Sequence, residues 1–470
     1  MGAVWRWVRQ CRPLLGARAC SGDAAGEDTE QQYEQLARRV FHPRGSGEQV
    51  LVLQPYVKWG RLKRRNTTPQ LQLAEAVALV SSLPRWRVVS KMTVPLMSLG
   101  KKTLFGKGNL ESLHHRISKD ERITAVFVSV DMLTSLQHRE LAQVFGVTIY
   151  DRYMIVIQIF RDHACTAEAK LQVAMAEIHY LRLTLRTNAD WIVSIGQNQG
   201  SGELPIESRR KLISVQEKKV KEEIQKLSEQ RQLLRKNRRR LSSHPVVAVV
   251  GYTNAGKTSL IRALTGEEGL QPKDQLFATL DVTLHEGVLP SGLKVLYVDT
   301  IGFISDMPAG LIHAFHVTLE DALLADVIVH VKDLSHPDMV AQTETVQETL
   351  QSLQVQKELV ENLVVVGNKT DLAPPDALRN EPPDTLQVSA TTHRGLTQLC
   401  EKLEQVVVAA TNRMVVVMKV PMGGAEAAWL YKEATVVDVK ADEDDMQCML
   451  MKVVISRENI ARFRRYFIEN

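Results

Sequence analysis

Residues 245–259 read PVVAVVGYTNAGKTS. Val246, Val247, Ala248, Val249 and Val250 form an apolar, mostly β-branched run closed by Gly251, the pattern of a strand buried in a parallel sheet. Gly251, Gly256, Lys257 and Thr258 then fit the spacing GxxxxGK[ST], and SLIRALTG continues as a helix. Strand, loop and helix in that order bring backbone N–H groups and a helix N-terminus onto phosphate oxygens. Tyr252, Thr253, Asn254, Ala255 and Ser259 complete the cradle, Lys257 reaches the outer phosphates, and the Thr258 hydroxyl suits Mg²⁺. The bland alternative is a Gly-rich turn ahead of a helix.

Three further segments favour the phosphate loop. An apolar strand over 293–298 ends in Asp299, and the run Asp299, Thr300, Ile301, Gly302 places a carboxylate where it can hold Mg²⁺ through water. Gly302 there is free to approach a terminal phosphate. A third strand over 363–367 leads into Asn368, Lys369, Thr370 and Asp371. A carboxylate at Asp371 accepts the N1 and N2 hydrogens that guanine has and adenine lacks, a charge-assisted contact of roughly 1.5–3 kcal/mol, while the Lys369 stem covers the ring. Ser389, Ala390 and Thr391 match the SA[KT] segment whose backbone meets the base. GTP or GDP with Mg²⁺ is the expected ligand. Between the loop and Asp299 lies FATLD, in which Thr279 resembles the switch threonine that closes on Mg²⁺ when the γ-phosphate is present. Lys257, Thr279, Gly302 and Asn254 are thus the candidate catalytic residues, and Thr258, Thr279 and Asp299 the candidate metal ligands. Phe303 follows Gly302 where Ras-type enzymes carry a water-orienting Gln, so hydrolysis is expected to be slow unaided. Asn254 is a candidate ligand for K⁺ standing in for an arginine finger, the alternative being a residue that only shapes the loop.

With 470 residues, 44% of them hydrophobic, the chain can build several cores. No apolar run approaches the roughly 18–20 residues of a membrane span. Its five cysteines lack CxxC or Cys/His spacing, which points to neither a disulfide framework nor a zinc site. The net charge of +5 is modest, but it is unevenly placed. Residues 1–22 carry Arg6, Arg9, Arg12 and Arg18 and no acid, the pattern of a mitochondrial transit peptide, with a basic tail as the alternative.

The expected architecture is α/β and multidomain. Residues 1–30 are the transit segment and linker, and 31–160 alternate strand and helix as a parallel α/β domain. Lys58, Arg61, Lys63, Arg64 and Arg65 beside Trp59 form either a solvated loop or a nucleic-acid contact. Residues 161–243 read as an antiparallel helical hairpin, one helix over 166–186 and the other over 206–241, with apolar positions recurring from Ile213 through Val220 and Leu227. Residues 208–241 hold 13 Lys or Arg against 4 Glu, a charge excess suited to RNA. Residues 244–411 form the Ras-like P-loop GTPase domain, and 412–470 a small C-terminal α+β domain.

GYTNAGKTSL, LFATLD, DTIGFI and NKTDL resemble the HflX family of translational GTPases, as do LFGKGNLESL, DRYMIVIQIF, TAEAKLQVAMAEIHYL and GSGELPIESRRKLI upstream. The resemblance covers roughly residues 49–411 and, with the transit-like N-terminus, is greatest to a mitochondrial member. Two departures stand out: Ser201 replaces the Arg of the family's Gly/Arg-rich turn, and Val282 replaces its proline. What the resemblance implies is a ribosome-associated GTPase that binds the large ribosomal subunit and its rRNA in the GTP state and separates or recycles subunits; with the transit-like start, the expected location is the mitochondrial matrix, and the expected state is a monomer. Large-subunit assembly, or an RNA-binding adaptor with a passive GTPase, are the competing expectations; neither DNA nor a membrane is an expected partner.

Overall fold

The computed structural model describes residues 32–37, 40–41, 47–59, 66–187, 206–241, 244–270, 276–277, 282–305, 325–353, 355, 359, 362–442, 445 and 447–468. The transit-like segment, Arg61–Arg65 of the basic loop, the turn carrying Ser201, and Thr279 lie outside them. The chain divides into two compact units, one built mainly from residues 1–233 and the other mainly from 234–470.

In the first unit the elements run β1 (Gln49–Val57), α1 (Pro69–Ser81), β2 (Arg87–Leu96), α2 (Lys107–Lys119), β3 (Ala125–Val128), α3 (Ser135–Phe145), β4 (Thr148–Tyr150), α4 (Arg152–His163), α5 (Ala167–Thr187) and α6 (Ile206–Leu241). The strands form a parallel sheet in the order β2-β1-β3-β4. The apolar runs of β1 and β3 are buried on both faces, and Leu51, Leu53, Val126 and Val128 pack against Leu113 and Ile117 of α2 and Leu141 and Phe145 of α3. That is the α/β domain expected from the alternating pattern. Helix α4 was not legible: Arg152 through Phe160 are all buried, so no polar face marks a helical period. It starts where the Asp151 carboxylate accepts the Met154 N–H at 2.9 Å.

The hairpin expectation changes in its packing. Helix α5 lies chiefly on α4 and α3 and covers α4, which is buried all round from Arg152 to Phe160. It meets α6 through Arg182–Glu217 at 3.0 Å and through Arg210, which donates to the Leu185 carbonyl at 3.4 Å. Along α6, Ile213 and Val220 are buried while Ile224 and Leu227 are half-buried.

The second unit contains β5 (Val246–Gly251), α7 (Lys257–Thr265), β6 (Thr283–Val288), β7 (Lys294–Asp299), β8 (Val327–Asp333), α8 (Met339–Ser352), β9 (Leu363–Asn368), the short α9 (Pro375–Arg379), β10 (Leu386–Gln387) and α10 (Leu396–Ala410). These build a six-stranded sheet in the order β10-β9-β8-β5-β7-β6, parallel except for β6. Val247, Val249, Val329 and Val331 pack on Leu260 and Ile261 of α7 and on Leu399, Leu403 and Val407 of α10. Then follow β11 (Arg413–Pro421), α11 (Ala425–Glu433), β12 (Thr435–Ala441), β13 (Cys448–Ser456) and α12 (Arg457–Phe467), an antiparallel sheet β11-β13-β12 with both helices on one face. No helix among the described residues is long and apolar enough to cross a membrane.

Candidate functional site

Three parallel strands, β5, β7 and β9, deliver their carboxyl ends to one place, where open α/β sheets bind ligands. At the end of β5, Gly251 touches the neighbouring backbone: a Cβ there would sit 2.4 Å from the Val331 carbonyl oxygen. The loop then turns through Asn254 and Gly256, at φ 62° and 88°, the left-handed region that costs Gly least. Gly256 caps α7, leaving the helix N-terminus open toward the loop. A Cβ on Gly256 would meet Asn368 Nδ2 at 2.4 Å.

The Lys257 ammonium is buried and donates to the Tyr252 carbonyl at 3.0 Å and the Gly251 carbonyl at 3.3 Å. Burial pushes its pKa down to about 8, and the nearby Asp299 carboxylate opposes that shift. The Thr258 hydroxyl donates to Asp299 Oδ2 at 2.6 Å. Thr300 is fully buried and donates to the Val249 carbonyl at 2.7 Å, which fixes the strand end carrying Asp299. Ile301 is buried, and Gly302 lies so close that a Cβ would fall 2.7 Å from Thr253 Cα and 3.1 Å from Lys257 Nζ.

Phe303 is buried and pairs with the loop as an extra bridge opposite Tyr252. Its N–H donates to the Gly251 carbonyl at 3.0 Å and its carbonyl accepts the Thr253 N–H at 2.7 Å. The residue that cannot orient water is therefore a structural clasp between the two phosphate-proximal segments.

Asn368 ties the end of β9 and the segment at Ala390 to the loop. Its Nδ2 donates to the Ala255 carbonyl at 3.0 Å and its Oδ1 accepts the Ala390 N–H at 3.1 Å. Ser389 is fully buried, and its hydroxyl accepts the Thr392 N–H at 3.1 Å. Asp371 and Thr391 are exposed, open to a ligand. Lys369 adopts φ 62° and its ammonium meets Asp333 Oδ2 at 2.7 Å. Asp333 escaped the sequence reading, although a carboxylate closing the strand VIVHVKD was a usable signal. The structure brings Gly251–Ser259, Asp299–Gly302, Asn368, Lys369, Ser389 and Ala390 together; Thr279 is outside the described residues.

The donor set fits a nucleoside phosphate with Mg²⁺. Gly251, Gly256 and Gly302 leave room that a Cβ would fill, and Thr258 with Asp299 converge as hard oxygen ligands. No cluster of three or more His, Cys, Asp or Glu suited to a metal occurs among the described residues.

Comparison with known proteins agrees with this geometry. Residues 246–369 match the profile of a 50S ribosome-binding GTPase, 163–238 that of a GTP-binding GTPase middle region, and 70–161 that of a GTP-binding GTPase N-terminal region. The GTPase HflX of Magnetococcus marinus is 36% identical over 74% of this chain and 81% of its own length. The chain belongs to the HflX family. It is a GTPase, with the α/β fold and P-loop domain that this membership entails. "Putative GTP-binding protein 6" of Xenopus laevis is 42% identical over 94% of this chain and 84% of its own. A GTP-binding protein from Sulfolobus solfataricus in complex with GDP, 22% identical, covers 77% of this chain and 99% of its own with a TM-score of 0.39.

Proposed function

We propose that this HflX-type GTPase acts in the mitochondrial matrix as a monomer that binds the large ribosomal subunit in its GTP state and promotes subunit dissociation and recycling. The observation that carries the reading is the run of three family matches over 70–369, the last to 50S ribosome-binding GTPases, on a chain with an Arg-rich, acid-free start. A chloroplastic GTP-binding protein of Arabidopsis thaliana, 35% identical over 57% of this chain, is an organellar relative. The basic helix α6 supplies a surface for rRNA phosphates. Five functional parts follow, with limits at 30, 160, 243 and 411: transit segment and linker, N-terminal α/β domain, helical segment, GTPase domain and C-terminal α+β domain.

In the site, Gly251–Ser259 cradle the phosphates, and Lys257 neutralises charge on the outer ones. Thr258, Thr279 and Asp299 would hold Mg²⁺, which would supply positive charge against the phosphate oxygens. Gly302 positions the terminal phosphate, and Asn368, Lys369, Asp371, Ser389, Ala390 and Thr391 select guanine. Asn254 is exposed on the loop and is proposed to hold K⁺; equal hydrolysis rates in KCl and NaCl would rule that out.

Mitochondrial ribosomes incubated with the protein and a non-hydrolysable GTP analogue, then run on a sucrose gradient, test the main reading. Loss of the monosome peak is expected. Intact monosomes, with the protein sedimenting on immature large particles, would replace it by the assembly reading. Full cellular function of Lys257→Ala would replace it by the passive adaptor.

A further inference from the structure

The exposed face of α12 carries a charge pattern that helix stability does not require. Over residues 457–467 it holds Arg457, Arg462, Arg464 and Arg465 against the single acid Glu458, and no Lys. All four arginines are exposed. None has a side-chain ion pair or hydrogen bond among the described residues, whereas on α6 Lys221 and Lys226 pair with Glu217 and Glu223 at 2.6 and 2.8 Å. Arg464 and Arg465 in the last turn complement the helix dipole. Arg457, the first helical residue, opposes it, so the dipole does not account for the set.

The opposite face is already used. Phe463 stacks on Trp429 of α11 at 5.5 Å and on Phe467 at 5.1 Å, and Asn459 Nδ2 donates to the Glu433 carbonyl at 2.9 Å. The helix is thereby held rigidly, with its apolar side unavailable for insertion into a lipid surface. Tyr466, 64% exposed, stands one turn from Arg462 on the solvent side.

We propose that α12 is an RNA-binding surface, with Arg457, Arg462, Arg464 and Arg465 on phosphates and Tyr466 stacked on an unpaired base. Guanidinium forks match phosphate oxygens in a bidentate geometry that lysine does not offer. An aromatic ring beside them suits a base splayed from a loop or single strand. The proposal does not depend on the ribosomal reading, because it concerns RNA alone.

Its test is fluorescence anisotropy of the full-length protein with a labelled RNA stem-loop over a salt series. In the variant R457Q/R462Q/R464Q/R465Q, affinity near about 0.1 M salt is expected to fall roughly 10- to 100-fold, and the slope of log affinity against log salt to flatten by about 2–4. Gln keeps helix propensity, and GTP hydrolysis and the melting curve should match the parent. The fourfold Lys variant should keep most of the slope. Tyr466→Ala should lose roughly tenfold and Tyr466→Phe little. An unchanged slope in the Gln variant overturns the proposal. So does unaltered RNA binding accompanied by loss of binding to phosphatidylserine vesicles, which would make the face a lipid contact. Monosome separation is read in a different assay, so failure of either idea leaves the other standing.

Discussion

At the scale of single residues, Asp371, the proposed guanine contact, stands exposed three residues beyond the end of β9. Asp371→Asn should lower GTP affinity about 10- to 100-fold and improve xanthosine triphosphate binding, because the amide offers a donor where guanine also donates. Competition of a fluorescent guanine nucleotide by the two triphosphates checks this, and unchanged GTP affinity would contradict the base assignment. Two buried histidines contribute to loss of stability in acid. Burial pushes His138 and His330 from 6.5 down to about 4, with Lys332 and Lys257 adding to the shift at His330. At these two sites the folded state binds fewer protons than the unfolded one. Their contribution to stability is fully present above 6.5 and is lost as pH falls toward 4, by up to about 3 kcal/mol for each group. His330→Gln should flatten the fall in urea-unfolding free energy across that window; an equally steep fall would show that His330 does not drive it. Phosphate and base motifs were legible because their spacing is itself the mechanism. Asp333 closes a readable strand, but its link to Lys369 was not legible, being set by pairing of β8 with β9 rather than by distance along the chain.

At the scale of elements, helices that carry their own stop and start signals were readable. Thr134 and Gln137 form a reciprocal capping box at the start of α3, and Gly146 ends it at φ 68°. Thr134→Ala should cost about 1 kcal/mol, measurable by denaturant unfolding of the full chain with hydrolysis unaffected. Helix α4 shows the converse. Its residues are buried all round, so tertiary cover rather than local pattern makes it a helix. The edge strand β6, TLHEGV, was missed for a related reason: only His285 and Gly287 are buried along it, too few to stand out as an alternation. Its antiparallel pairing to β7 comes from the chain reversing between Val288 and Lys294.

At the scale of the molecule, the C-terminal sheet is small and would be marginal alone, and the structure shows what supports it. Val454 of β13 is buried in the same cluster as Val247, Val249 and Val407 of the GTPase domain, and Val437 of β12 packs beside it. The two sheets of this unit consequently share apolar cover, although one carries the nucleotide site and the other the basic helix α12. The contact residue was hidden in the sequence because MLMKVVIS presents apolar side chains on both faces. Position on the sheet should decide the cost of substitution. Val454→Ala removes buried surface worth roughly 1.5–2 kcal/mol, and should lower the unfolding free energy of the unit while weakening GTP binding only as far as folding is lost. Val417, on β11 and 59% exposed, is an internal control. Val417→Ala should change stability by less than about 0.5 kcal/mol. Equal costs for the two variants, measured by chemical denaturation with bound-nucleotide fluorescence as the readout, would mean that the C-terminal sheet does not stabilise the GTPase core through this contact.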